Sequence, residues 1–191
     1  MSTVSPAPLG FKDVLRIEVM RRVWYAQIVS LFGDFLALFA VISVVSFRMH
    51  GTPNQITGVQ IAYMLPLVVL GPLSGVFVDR WPLKATLVAS DVIRALLAVG
   101  LVFATELWHV YVVLMGISAV SSFFSPAQSV TIRSHVPREG LMVANALMQM
   151  ALMGIRIVGP AVAGLLVAMA GPAVCYTLDV GSFVASAMLL G

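Results

Sequence analysis

Few side chains in this chain are equipped for chemistry, and two of them sit where a charge is expensive. Asp34 lies 11 residues into an apolar run that begins at Val23, and Arg156 lies 15 residues into another that begins at Leu141. At about 1.5 Å per residue, both fall near the middle of a bilayer-length helix. A charge at that depth costs roughly 2.5–3.5 kcal/mol, so such groups pair or line a water-filled cavity. A carboxylate beside a guanidinium lets a proton and a substrate compete for one site, with Asp34 as the protonatable partner. The plain alternative is a static salt bridge that ties the two helices together. Gln27, Ser30 and Asp34 fall on one stripe of their helix, about 60° wide at 100° per residue. Asn145, Gln149 and Arg156 likewise share a face. Gln27, Asn145 and Gln149 are therefore the further cavity candidates.

A second group of charges lies in Gly71-Pro-Leu-Ser-Gly75-Val-Phe-Val-Asp79-Arg80-Trp-Pro82-Leu-Lys84, running on to Asp91 and Arg94. A turn so short and so charged cannot sit in hydrocarbon, so it marks where two helices leave the membrane. Gly75, four residues before Asp79, suits close helix approach. Asp91 and Arg94 are three apart and can meet on one helix face. They are expected to form a structural ion network with Asp79 and Arg80.

Other chemistry finds no support. Cys175 is the only cysteine, so no intramolecular disulfide is possible, and His50, His109 and His135 are too far apart for a metal-ligand spacing. There is no nucleophile–base pair and no phosphate loop, which argues against an enzyme and calls for no cofactor. The +3 net charge is spread over short loops rather than gathered in a patch, which disfavours nucleic acid. With 60% hydrophobic and 10% charged residues and a mean hydropathy of +1.03, the chain is an integral membrane protein whose solvent is the lipid bilayer.

These residues require elements to hold them. Residues 1–22 read as an arm, in which Phe11, Val14, Leu15 and Val19 form a short amphipathic surface helix. The arm is too charged, and the apolar run after it too long, for a signal peptide. Six spans follow as a single bundle over 23–191, at about 23–47, 58–78, 84–105, 108–131, 141–170 and 173–191. In the fourth, Ser118, Ser122, Ser125 and Ser129 line one narrow face, more suited to close packing than to ligand contact, and Pro126 interrupts the last turns. The loop Arg133 to Gly140 carries His135. Lys12, Arg16, Arg21, Arg22, Arg80, Lys84, Arg133 and Arg138 fall on one side of the membrane, against Arg48 on the other. That asymmetry places both termini in the cytoplasm.

An offset of 88 residues carries Gly71-Pro72 onto Gly159-Pro160, Asp91-Val92 onto Asp179-Val180, and Phe35 onto Phe123. Three helices is an odd number, so the second copy must enter the membrane inverted. The offset carries Asp34 onto Ser122, and Val68 onto Arg156. Scaffold residues should tend to recur in both copies, so Asp34 and Arg156 are ranked above Asp91 and Asp179 as functional candidates.

These features resemble the major facilitator superfamily, whose half-molecule is an inverted 3+3 repeat of six transmembrane helices, an all-α membrane fold. Gly75-Val-Phe-Val-Asp79-Arg80-Trp81-Pro82-Leu83-Lys84 is similar to the superfamily's loop signature between its second and third helices. Pro82 replaces a glycine and Leu83 a cation. Gly154…Gly159-Pro160-Ala-Val-Ala163-Gly164 resembles the exporter signature of the fifth helix, with Ala163 where a glycine is common. Ser125-Pro126-Ala127 and Ala144-Asn145-Ala146-Leu147 look like the drug, macrolide and siderophore exporter branch. Val112 stands where the fourth-helix signature has an arginine, so coupling through that arginine is not carried over.

The resemblance implies the amino-terminal half of a secondary transporter in a bacterial plasma membrane. Its substrate would be a small amphipathic molecule, such as a drug or macrolide, exported against protons. Asp79, Arg80 and Lys84, with Gly75, Asp91 and Arg94, would serve as a cytoplasmic gate. The bend at Gly159-Pro160 would seal the interface with a missing carboxy-terminal half or a second copy. The run stops within the sixth span, which is expected of a fragment. A lysophospholipid-type carrier is a rival at the level of substrate, and a non-transporting scaffold or partner subunit is a rival of another class.

Overall fold

The structure is a computed structural model that describes residues 9–78 and 80–191. The arm holds a one-and-a-half-turn helix, α1 (Phe11–Arg16), and a break at Ile17 leads into α2 (Glu18–Ser43). Val14 is fully buried, packed near Gly140, so α1 is docked on the end of the bundle. The first spanning helix thus starts at Glu18, ahead of the apolar run, where Arg22 donates to Glu18 at 2.7 Å. Over Val44–Arg48 it widens to i→i+5 bonding, with the Met49 amide donating to the Val44 carbonyl at 3.0 Å.

The remaining spans are α3 (Pro53–Val78), α4 (Leu83–Val102), α5 (Leu107–His135), α6 (Leu141–Ala170) and α7 (Pro172–Leu190). Six helices are thus long and apolar enough to cross a membrane, and no strand occurs among the described residues. Helix is the form a spanning segment must take, because it satisfies every backbone group within the segment. Between α6 and α7 a single residue, Gly171, turns the chain at φ 83°, and Pro172 opens the next helix. Pro126 does not interrupt the fourth span: α5 runs through it to His135, and Arg133 and His135 belong to the helix rather than to the loop. Internal prolines are tolerated in spanning helices because neighbours re-satisfy freed backbone groups.

The packing follows the repeat. Exchanging α2, α3 and α4 for α5, α6 and α7 carries the α2–α7 contact onto α5–α4 and the α3–α5 contact onto α6–α2, and it carries the α4–α7 contact onto itself. The pseudo-dyad therefore passes between α4 and α7. The molecule is an all-α membrane bundle, and α3 and α6 are its least enclosed members, with 22% of their apolar windows buried against 44% for α4.

The apolar core is in two pieces. One gathers Leu36 to Val45, Ala95 to Leu101, Val110 to Ile117, and Cys175, Tyr176 and Phe183. The other gathers Val14 to Ala26, Leu87, Phe124 to Val136 and Leu190. Each of the four helices at the centre switches to polar residues near the gap: Ser30 and Asp34 on α2, Ser90, Asp91 and Arg94 on α4, Ser118 and Ser122 on α5, and Ser182 and Ser186 on α7. This belt positions the candidate site.

Candidate functional site

Arg94 is the hub of the belt. It lies about midway along α4 and is 3% exposed. Its guanidinium forms an ion pair with Asp91, one turn earlier on the same helix. Its second amino group faces Asp34 of α2, with Nη1 4.0 Å from Oδ2. Two aromatic rings enclose the cation, with the guanidinium carbon 4.4 Å from the Phe124 centroid and 4.5 Å from that of Phe183. Cation–π contacts of this kind strengthen when water is excluded. Four helices thus converge on one side chain.

Asp91 is fully buried and fully partnered. Besides Arg94, it accepts a hydrogen bond from the Ser186 hydroxyl of α7 at 2.6 Å. Asp179, also on α7, is 1% exposed, and its Oδ1 has no hydrogen-bond partner; the same is true of Arg94 Nε. Ser182 does not help Asp179's carboxylate, because its hydroxyl donates to the backbone carbonyl of residue 179 at 2.7 Å. Gly33 lets α2 lie directly on this part of α7. A Cβ there would come to 2.7 Å from Asp179 Oδ1 and would overlap the Ser182 side chain.

The expected Asp34–Arg156 pair does not form. Arg156 is exposed on α6, on the same outer margin as the exposed Asn145 and Gln149. The two residues share a depth, but Asp34 is turned toward Arg94 of α4 and Arg156 is exposed, and depth along a span says nothing of rotation about its axis. The network expected to join Asp91 and Arg94 to the loop is also absent among the described residues: Arg94 turns to Asp34, Arg80 is exposed, and Asp79 lies outside the described residues. Gln27 is half-buried and bonded to Gln128 of α5 at 2.5 Å. Ser122 donates to the Pro66 carbonyl of α3 at 3.3 Å, a packing contact. Ser125 and Ser129 are exposed.

Residues 10–190 match a family of MFS proteins described as transmembrane secretion effector. The chain belongs to the major facilitator superfamily. Among its superfamily relatives, an uncharacterized MFS-type transporter of Bacillus subtilis, YfiS, is 32% identical over 165 residues, covering 86% of this chain and 40% of the relative. Macrolide efflux protein A of Streptococcus pyogenes is 30% identical over 149 residues, covering 75% of this chain and 36% of its own length. A homologue of the multi-drug resistance efflux pump PmrA in Lactococcus lactis is 28% identical over 178 residues, covering 84% of this chain and 43% of the pump. The chain thus spans less than half the length of these curated relatives. No solved structure gives a significant match.

The superfamily's loop stretch is held by an aromatic contact. Trp81 stacks on Phe123 of α5, with centroids 5.8 Å apart and planes 20° apart. Lys84 is exposed and shares a cleft with Arg22 and His135. A Cβ on Gly75 would meet nothing within 4 Å, so the close approach expected there does not occur within this bundle; the same open space surrounds Gly71, Gly154 and Gly164. All four lie on α3 or α6, the two least enclosed helices. Gly159 differs, since a Cβ there would come to 3.2 Å from the Phe35 side chain of α2.

The repeat marks Asp179 as scaffold, and spacing alone does not single out Phe124, Phe183, Ser182, Ser186 or Gln128. One signal for Asp179 was available. A residue echoed by an inverted repeat, on the helices that flank the pseudo-dyad, lies on the helices that pack together at the centre of the bundle.

Proposed function

We propose that the chain is the amino-terminal six-helix half of a secondary active exporter of amphipathic small molecules, drugs or macrolides among them, coupled to protons through Asp34. The supporting observation is the buried Asp34–Arg94–Asp91 cluster in the belt between the two apolar cores. Asp34 stands at the outer limit of Arg94's reach, while Asp91 holds the guanidinium closely. The Asp34 carboxylate is therefore the one that can be protonated without dismantling the network. A charge at mid-span is costly unless it has a task or a partner. The efflux names borne by two relatives point to the same substrate class.

In this reading the excess of lysine and arginine on one side sets both termini in the cytoplasm. The carboxy-terminal half packs on α3 and α6. Small residues at such faces let helices approach closely, which gives Gly71, Gly75, Gly154 and Gly164 a use that the six helices alone do not. The Asn145, Gln149 and Arg156 margin then faces the space between the halves, and the two halves rock about the belt. Asp79, Arg80 and Lys84 act as the cytoplasmic gate element.

The test is efflux of a macrolide by the complete transporter in cells and in liposomes with an imposed proton gradient. Asp34→Asn is expected to remain in the membrane at normal abundance and to lose gradient-driven export. Unchanged export by Asp34→Asn would sink the reading.

A further inference from the structure

We propose that Asp179 is a second proton carrier, forming with Asp34 an acid pair in which Asp179 holds a proton and Asp34 exchanges it with the surroundings. This deepens the export reading and rests on it only for its purpose, not for its chemistry.

Asp34, Asp91 and Asp179 converge on the belt, and Arg94 is the cation that faces them. Arg94 is committed to Asp91, which the Ser186 hydroxyl completes at 2.6 Å. Asp34 receives what remains of that cation at 4.0 Å. Asp179 receives no hydrogen bond at Oδ1 and is 1% exposed. A buried carboxylate without a donor is the most expensive species in this set, because desolvating an ion costs several kcal/mol on the order of magnitude unless it is paired. A neutral carboxyl group avoids that cost and also gains a proton to donate.

Gly33 precedes Asp34, and a Cβ in its place would stand 2.7 Å from Asp179 Oδ1. Any side chain there would separate the two acids' helices, and glycine brings them together. Asp34 is the next residue after Gly33, so the two acids stand on helices in direct contact. Two carboxyl groups on helices in direct contact are coupled, so a negative charge on one favours the proton staying on the other. The groups facing the pair are Asp91 and Arg94 from α4 and the Tyr63 hydroxyl from α3. Cys175 lies one turn away on α7 itself, and α5 presents the Phe124 ring to Arg94.

The step is a simple transfer. The O–H bond of the Asp179 carboxyl breaks as an O–H bond forms on the Asp34 carboxylate, so the net charge of the belt is unchanged. Asp34, with 11% of its side chain exposed, is the member able to release the proton outward.

The test is difference infrared spectroscopy of the protein in liposomes without substrate, read in the stretching band of protonated carboxyl groups. Wild-type protein carrying carboxyl-labelled aspartate is expected to show a label-sensitive protonated band at neutral pH, which needs no variant. Asp179→Asn is expected to remove a component of that band and to shift the component that Asp34→Asn removes. A band absent from labelled wild type, or unaltered by Asp179→Asn in protein that elutes as a single species, overturns the proposal. So does loss of the band when sodium replaces potassium at constant pH, which would make the pair a cation site. If the infrared result holds while Asp34→Asn still exports, the export reading fails and the acid pair stands.

Discussion

Asp91 and Asp179 occupy equivalent places in the two inverted copies, 88 residues apart, and their surroundings are opposite. Three residues after Asp91 comes Arg94; three residues after Asp179 comes Ser182. The first aspartate therefore carries its own counter-ion on its own helix and borrows a hydroxyl from α7. The second has a hydroxyl turned to the backbone and an oxygen with no partner. The repeat sets the geometry, and one differing position decides which acid has a cation on its own helix and which is left unpaired. An inverted repeat thus preserves where a side chain sits while leaving its electrostatics free to diverge.

Breaking the partnered side should have the largest effect. Arg94→Ala removes the cation from between Phe124 and Phe183 and strands Asp91. Removing one member of a buried pair costs roughly 3–5 kcal/mol, so thermal unfolding in detergent is expected at a far lower temperature, with little folded protein recovered. Arg94→Lys should rescue only part of this, since an ammonium group cannot fill the slot between two rings as a planar guanidinium does. Ser186→Ala is expected to cost less, about 1.5–3 kcal/mol, the range for a hydrogen bond to a charged group. A smaller loss would show that Arg94 alone satisfies Asp91.

The sharpest contrast is between isosteric changes of the two acids. Asp91→Asn should destabilise strongly, because it leaves Arg94 with only the distant Asp34. Asp179→Asn should change stability by less than about 1 kcal/mol, since no hydrogen bond or ion pair is lost. Equal losses in the two variants would show that the two acids are held alike. The smallest effect belongs to Arg156→Gln, expected within about 0.5 kcal/mol of wild type because the side chain is exposed and has no ion-pair partner among the described residues. A loss comparable with Asp91→Asn would restore the mid-span pair that the sequence suggested.

Much of the architecture was legible from hydropathy and punctuation alone. Bilayer-length apolar runs mark six helices because hydrocarbon leaves the backbone no other way to satisfy its hydrogen bonds. Gly171-Pro172 and the charged stretch at Arg80 to Lys84 mark turns because glycine, proline and charge belong there. The first span was read as starting at Val23 and starts at Glu18, because a charged first turn outside the hydrocarbon extends a helix without adding to its apolar run. The fourth span was read as faltering at Pro126 and does not, because proline breaks helices in water more readily than in a packed membrane bundle.

The site was legible only in its membership by type. Asp34 was identified from the cost of its charge, and Asp91 with Arg94 from their spacing of three. The pair expected between Asp34 and Arg156 does not form, since Arg156 is exposed and Asp34 faces Arg94. What the sequence by itself determined is what depends on one helix at a time: where each span lies, how deep each charge sits, and which residues share a face. Only the tertiary structure decided which faces meet. Rotation of α2 and α4 about their axes turned Asp34 to Arg94, and the absence of a side chain at Gly33 let α2 settle against Asp179. The physical reason is that depth follows from counting residues along a helix, whereas partnership depends on how the side chains of neighbouring helices interlock.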